Sequence, residues 1–402
     1  MNGRRGSVKQ DPRSGKWYFV VDIAGDGGRS QTRRRGFASR RAAQAALNEA
    51  LGALASKTYV PPLRQSLGAF LTDDWLPAIR TTVRLATYES YARNVRLHVA
   101  PRAVGRIPLQ DVDGSALNKH YAVLLAGTAR QKPLSPRSVV YIHMILHRAF
   151  RDGVRWGRIV RNPAETADPP RATPGKASHR TWTPREVSRF LEGSRGDRLA
   201  GAWWLLATTG MRRGEVLGLA WECVDLQSAR VSVRRTLVTV DARRVGDLGM
   251  AWSEPKTAKG WRSIALDAET VDVLRAHRQL QLTELADAAD AYEDSGLVVA
   301  DPLGHPIHPK TMSNRFQAMA RRLELPRIRL HDLRHTHATI ALAAGIHPRV
   351  VQERLGHANV GVTLDTYSHV GEPIHAEAAD TLAALVRPTD GESGQEARDE
   401  NG

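Results

Sequence analysis

Apolar positions change period along this chain, and each change marks an element. In KWYFVVDIA (Lys16–Ala24), Trp17, Phe19, Val21 and Ile23 fall on alternate positions, the period of two expected of a strand with one buried face. GDGG (Gly25–Gly28) is a hairpin turn signal. RSQTRRRGF follows as a partner strand bearing Arg29, Arg33, Arg34 and Arg35, and Ser39 is placed to cap a helix, RRAAQAALNEALGALAS. A small β-sheet plus helix is therefore expected over residues 1–58.

After the Pro-containing linker TYVPPLRQS the period becomes helical from Leu67 to Pro163. SLGAFLTDDWLPAI starts at a serine cap. In SPRSVVYIHMILHRAFRDGVRWGRIVRNP, Val139, Ile142, Leu146 and Phe150 make one buried stripe, with Arg137, His147, Arg148 and Arg151 opposite. An all-α domain over residues 64–170 is the expectation, ended by a second linker, DPPRATPGKAS. The third segment, 178–388, mixes types. Thr183 and Glu186 have capping-box spacing, and AGAWWLLATTG is a buried helix ending near Gly210, with Trp203 and Trp204 in the core. ARVSVRRTLVTV and WRSIALD each alternate as a strand, and helices resume from Ala268. Residues 389–402 hold five acids and one arginine from Asp390 on, with no apolar period, and are expected to be a disordered acidic tail. The fold class is thus multidomain: a small N-terminal sheet plus helix, an all-α domain, and a mixed α/β, mostly α, domain.

Charge adds the first functional clue. The 402 residues are too many for one core, and Lys and Arg outnumber Asp and Glu 58 to 42, a net +16. That balance attracts a polyanion, most often nucleic acid. Residues 1–60 carry 12 Lys/Arg against 4 Asp/Glu, so a basic sheet lying in a DNA groove is one expectation and a solvated charged face the other. The single cysteine, Cys223, rules out a disulfide framework and a cysteine-based zinc site, and is expected to be a small buried hydrophobe. No apolar run approaches a membrane span of roughly 18 residues, and MNGRRGSVKQ has no apolar signal core. A reducing cytosol, away from membrane, is the expected place.

Four segments concentrate chemistry. TTGMRRGEVLGLAW places Arg212 after a glycine turn, with Glu215 three residues on. EPKTAKGWRSIAL places Lys256 at a hairpin, with Lys259 in the same turn. RLHDLRHTHAT holds His331 and Arg334 at i and i+3, one helical face. Gly345 then serves as a C-cap and Pro348 opens a helix that Gly356 ends, which puts His357 at its exit in LGHANVGVTLDTYSH, ahead of Tyr367. Two arginines, a lysine, two histidines and a tyrosine suit attack on a phosphodiester. Guanidinium forks match nonbridging oxygens, a phenol can be the nucleophile, and the leaving oxygen needs a proton. His335 and His337 have no carboxylate or cysteine partner at zinc-protease spacing, so no metal site and no cofactor is expected. No G-x-S-x-G or phosphate-binding G-x-x-x-x-G-K-[ST] loop occurs.

Together, TGMRRGE, PKT, HDLRHTHAT and LGHANVGVTLDTYSHV resemble the tyrosine recombinase family, especially phage-type integrases, with WGRIVRNPAE matching the end of that family's helical core-binding domain. The resemblance implies an arm-type DNA-binding domain, a core-binding domain and a catalytic domain at the boundaries above. It implies that Arg212 and Arg334 clamp the scissile phosphate, Lys256 protonates the leaving 5′-oxygen, His331 assists proton transfer, His357 bonds the phosphate and Tyr367 forms a 3′-phosphotyrosine link. Glu215 would support Arg212. The implied partners are double-stranded DNA at arm and core attachment sites, sister protomers in a tetramer, and an excisionase or host DNA-bending protein. The implied work is integration or excision of a phage or mobile element, without metal or ATP. A Xer-like resolvase, or a DNA-binding relative without catalysis, are the alternatives. The apolar stripe Ile374, Ala378, Leu382 and Leu385 would contact a neighbouring protomer.

Overall fold

The computed structural model describes residues 6–25, 28–56, 59–129, 132–171, 180–240, 249–253 and 261–356. Lys256, Lys259, His357, Tyr367, the Ile374–Leu385 stripe and the acidic tail lie outside the described residues. The chain divides into two compact units, Met1–Lys176 and Ala177–Gly402.

The first unit begins with an antiparallel sheet in the order β1 (Gly6–Gln10), β2 (Trp17–Gly25), β3 (Gly28–Phe37). Alternation puts Phe19 and Val21 on the face covered by α1 (Arg40–Ala55), where they join Leu47, Ala50 and Leu54 in a core. Ser39 caps α1, its hydroxyl accepting from the Ala42 N–H at 3.2 Å. Tyr18 pairs with Arg35, Phe19 with Arg34 and Val20 with Arg33. The arginine run is therefore split between faces. The guanidiniums of Arg33 and Arg35 lie 5.0 and 5.9 Å from the Tyr18 ring, on the face away from α1, whereas Arg34 sits 5.9 Å from Phe37.

Helical segments Leu67–Ala69, Phe70–Trp75 and Leu76–Ile79 run on without a break, opened by Ser66. With α2 (Leu85–Asn94), α3 (Gly114–Ala126) and α4 (Pro136–Arg155) they enclose one core. The α4 stripe Val139, Ile142, Leu146 and Phe150 is fully buried in it, each side chain contributing about 1.5–3 kcal/mol of transfer free energy. Trp75 donates its indole N–H to the buried Asp152 at 3.0 Å, which satisfies both polar groups.

In the second unit α5 (Pro184–Ser194) opens with the Thr183–Glu186 capping box. The buried helix α6 (Ala200–Thr209) runs into α7 (Arg213–Leu217). Strands β4 (Val224–Asp225), β5 (Arg230–Val233) and β8 (Arg262–Ala265) form one sheet, and β6 (Thr236–Thr239) and β7 (Met250–Ser253) another. Then come α8 (Ala268–Ala288), α9 (Pro309–Arg322), α10 (Asp332–Ala343) and α11 (Pro348–Leu355). Trp182, Phe190, Trp203 and Phe316 pack ring on ring in the core.

Two expectations change here. ARVSVRRTLVTV is not one strand but two, β5 and β6, in different sheets. The break falls at Arg234–Arg235, where Arg235 donates to the Gly218 carbonyl at 2.9 Å and its guanidinium lies 4.6 Å from the Trp252 ring. Among the described residues, the strands on either side of Lys256 are paired not with each other but elsewhere: β7 with β6, and β8 with β5. No helix of the described residues is long and apolar enough to cross a membrane.

Candidate active site

Arg212 owes its position to the turn before it. Gly210 ends α6 with φ +64°, a left-handed conformation that favours glycine. Arg212 is then the N-cap of α7, and Glu215, at the third helical position, accepts from the Arg212 backbone N–H at 2.9 Å and from its guanidinium at 2.7 Å. The helix presses on β6: a Cβ on Gly214 would meet Thr236 Oγ1 at 2.7 Å and the Leu237 carbonyl at 2.8 Å.

Glu215 has a second partner. Arg262 of β8 donates Nη2 to Oε2 at 2.8 Å and Nη1 to Oε1 at 3.2 Å, the two-pronged geometry that carboxylates bind best. Burial pushes the Glu215 carboxyl up, but the hydrogen bond and charge of Arg262, followed by the charge of Arg212, more than reverse this and hold the pKa at about 2. The carboxylate is therefore ionised at neutral pH. The Glu215 and Arg262 side chains are 5% and 7% exposed, the Arg212 side chain 41%. Of the three, Arg212 is the one a ligand can reach.

Arg334 enters from the first turn of α10 and is buried. It donates Nη1 to the Gly210 carbonyl at 2.8 Å and Nη2 to the Leu355 carbonyl at 2.7 Å. Arg212 donates Nη2 to the Gly356 carbonyl at 3.2 Å, and Arg262 donates Nε to the Arg354 carbonyl at 2.6 Å. Three successive carbonyls at the end of α11 thus each receive a different guanidinium. A helix C-terminus leaves its last carbonyls without intrahelical partners and carries partial negative charge, so cations gather there. Gly356, at φ +66°, ends α11 in the left-handed conformation and is the last described residue before His357.

His331 stands at the N-cap of α10 and reaches the surface. Its ring meets that of His335 edge-on at 5.3 Å. Its pKa is lowered, first by partial burial of the ring and then by the Arg334 charge, with Arg212 adding to the effect. A neutral imidazole at neutral pH follows, able to accept a proton. Asp332, next to it, is fixed by Arg329 through a backbone bond at 2.8 Å and a guanidinium bond at 2.7 Å. His337 faces inward, its Nδ1 3.1 Å from the Ala207 carbonyl, and burial holds its pKa at about 4. Cys223 is buried and free.

Of the residues singled out in the sequence, the structure brings Arg212, Glu215, Arg334 and His331 into one constellation around the end of α11. Lys256, His357 and Tyr367 lie outside the described residues. Arg262 was missed. Its signal was present in WRSIAL: it is in phase with Ile264 and Leu266, both buried, and an arginine on the inward phase of a strand needs a buried partner.

A model of the phage integrase family matches residues 182–372, and a model of an arm DNA-binding domain matches residues 7–54. An integrase of Streptomyces ambofaciens is 24% identical over 395 residues, covering 95% of this chain and 96% of that protein. A XerC-like tyrosine recombinase of Caldanaerobacter subterraneus subsp. tengcongensis is 24% identical, covering 77% and 81%. Among solved structures, the Tn1549 transposon integrase in complex with transposon right end DNA shares the fold with a TM-score of 0.61 at 21% identity, over 79% of this chain and 99% of that one.

Proposed function

This chain carries a phage integrase family domain behind an arm DNA-binding domain, and from that premise we propose that it is a site-specific recombinase that integrates or excises a mobile element. The observation that carries the proposal is the meeting of Arg212 and Arg334 on the adjacent carbonyls of Gly356 and Leu355. Two guanidiniums fixed side by side form a receptor for the nonbridging oxygens of one phosphodiester, and the segment that carries His357 and Tyr367 begins at that spot in sequence.

In the proposed reaction the Tyr367 phenol oxygen attacks the phosphorus. The phenol proton passes to neutral His331, a new O–P bond forms, and the bond to the 5′-oxygen breaks. Lys256, or Lys259 in its place, gives that oxygen a proton. Arg212 and Arg334 hold the charge that builds on the nonbridging oxygens, with His357 adding a hydrogen bond. A free phenol titrates near ~10, so cations around it are needed to favour the phenolate. The phosphotyrosine ester keeps the energy of the broken linkage, so the 5′-hydroxyl of a second strand can reverse the step without ATP. Fixed cations take the place of a metal ion.

Residues 1–58 would bind arm sites through the Arg33–Tyr18–Arg35 face, and residues 64–170 and 178–388 would both take the core site. Exchange between two duplexes calls for four protomers, and an excisionase or host DNA-bending protein would set direction. A Xer-like resolvase would share the chemistry, but an arm DNA-binding domain favours the integrase. Capture on a duplex nicked beside the crossover point tests the proposal: a short 5′-hydroxyl fragment diffuses away and leaves protein covalently on DNA.

A further inference from the structure

We infer that Arg262 is the positioning residue of this site, which acts without touching DNA by holding Arg212 in register through Glu215 and anchoring the end of α11 through the Arg354 carbonyl. This rests on the recombinase proposal above.

The argument starts from burial. The Arg262 side chain is 7% exposed against 41% for Arg212, and unlike the buried Arg334, whose partners are neutral carbonyls, it commits both Nη atoms to a carboxylate. Its Nε is directed to the Arg354 carbonyl. The strap runs in both directions. Arg354 sends its own guanidinium back to the Ala265 carbonyl at the end of β8, at 3.4 Å, and to the Thr208 carbonyl, at 3.3 Å. Strand β8 and helix α11 are therefore tied at both ends of the strand.

Glu215 is the hinge of this arrangement. A buried carboxylate with one cation is poorly compensated. With Arg262 supplying the buried half of its partners, Glu215 holds only Nη1 of Arg212, while Nη2 meets the Gly356 carbonyl. Without Arg262, Glu215 has Arg212 alone against its desolvation, and Arg212 is drawn from the position in which it meets a ligand. Lysine replaces arginine poorly here, because one ammonium cannot span two carboxylate oxygens and a carbonyl at once.

The test uses the full chain and a nicked duplex built from the DNA flanking its gene. Two quantities are measured for wild type, Arg262→Lys, Arg262→Gln, Glu215→Gln and the Arg262→Gln/Glu215→Gln double variant: DNA affinity and the single-turnover rate of covalent attachment. Arg262→Gln should keep its affinity within about twofold and lose roughly 10²-fold in rate, the scale expected of a misplaced catalytic group. Arg262→Lys should recover part of that loss, and adding Arg262→Gln to Glu215→Gln should slow attachment by a smaller factor than it does in wild type, because part of the Arg262 effect runs through that carboxylate and the rest through the Arg354 carbonyl. Wild-type attachment by Arg262→Gln overturns the inference, and so does a loss of affinity that matches the loss of rate, which would make Arg262 a DNA ligand. If Arg262→Gln does not fold, Arg262→Lys decides: a wild-type rate overturns the inference and a slowed rate at wild-type affinity supports it. If wild type itself gives no adduct, the recombinase proposal fails and not the role of Arg262 within it.

Discussion

Gly210 and Leu355 are joined through one side chain: Arg334 donates to the carbonyl of the first at 2.8 Å and of the second at 2.7 Å. The end of α6, which sets Arg212, and the end of α11, which leads to His357, are therefore fixed to each other by a buried arginine. The two residues also touch directly, since a Cβ on Gly210 would lie 2.6 Å from Leu355 Cδ2.

Gly210→Ala should accordingly be costly. The left-handed φ of +64° costs a residue with a Cβ about 1–2 kcal/mol. The overlap with Leu355, and with His337 Cδ2 at 2.9 Å, adds overpacking of about 1–3 kcal/mol. Denaturant unfolding should report a loss of roughly 2–5 kcal/mol from these two terms, accompanied by loss of covalent attachment to DNA. A variant as stable as wild type would mean that the turn is looser than described.

Glu215 sets a pH signature. Its carboxyl is held at about 2 against an ordinary 4.5. A depressed pKa contributes stability that is present above the unfolded value and is lost as pH falls from there through the folded value. The stability difference between wild type and Glu215→Gln should therefore be greatest above pH 5 and shrink steadily as pH drops from about 4.5 toward 2. Urea titrations of both proteins at several acid pH values would show it. A gap that stays constant or widens in acid contradicts the assignment of Glu215 as a buried, doubly paired carboxylate.

The split of the arginine run in the N-terminal sheet predicts unequal roles. Arg33 and Arg35 flank Tyr18 on the face away from α1, whereas Arg34 pairs with Phe19. Arg33→Ala/Arg35→Ala should weaken binding to an arm-site duplex and flatten the slope of log affinity against log salt by roughly 2, at about 0.9 per phosphate contact. Arg34→Ala should change the slope by less than half that amount. Equal effects from the two variants would remove the Tyr18 face from the interface.

What the sequence made legible was local. Ser39, Ser66 and the Thr183–Glu186 pair announce helix starts through bonds made within three residues, and the α4 stripe announces its buried face by period alone. What it hid was decided at a distance. β1 carries one apolar residue in GSVKQ, too little to show alternation, and is fixed by pairing Val8 with Phe19. The break between β5 and β6 does not disturb the alternation of the sequence and is set by the Gly218 carbonyl that Arg235 reaches. Arg262 meets its carboxylate across 47 positions, so only its phase with Ile264 hinted at burial. Arg212, Glu215, His331 and Arg334 stand out in the sequence because the motifs around them are contiguous; the carbonyls of residues 354–356, where Arg262, Arg334 and Arg212 meet, do not, since backbone acceptors leave no mark in a sequence.

The central claim is tested most directly by trapping protein on a nicked duplex that carries the attachment site flanking the gene, followed by peptide mapping of the adduct. Wild type should become covalently attached through Tyr367, and Tyr367→Phe should bind the same duplex with unchanged affinity and give no adduct. An adduct that persists in Tyr367→Phe, or wild-type protein that binds the site and never becomes attached, would contradict the account.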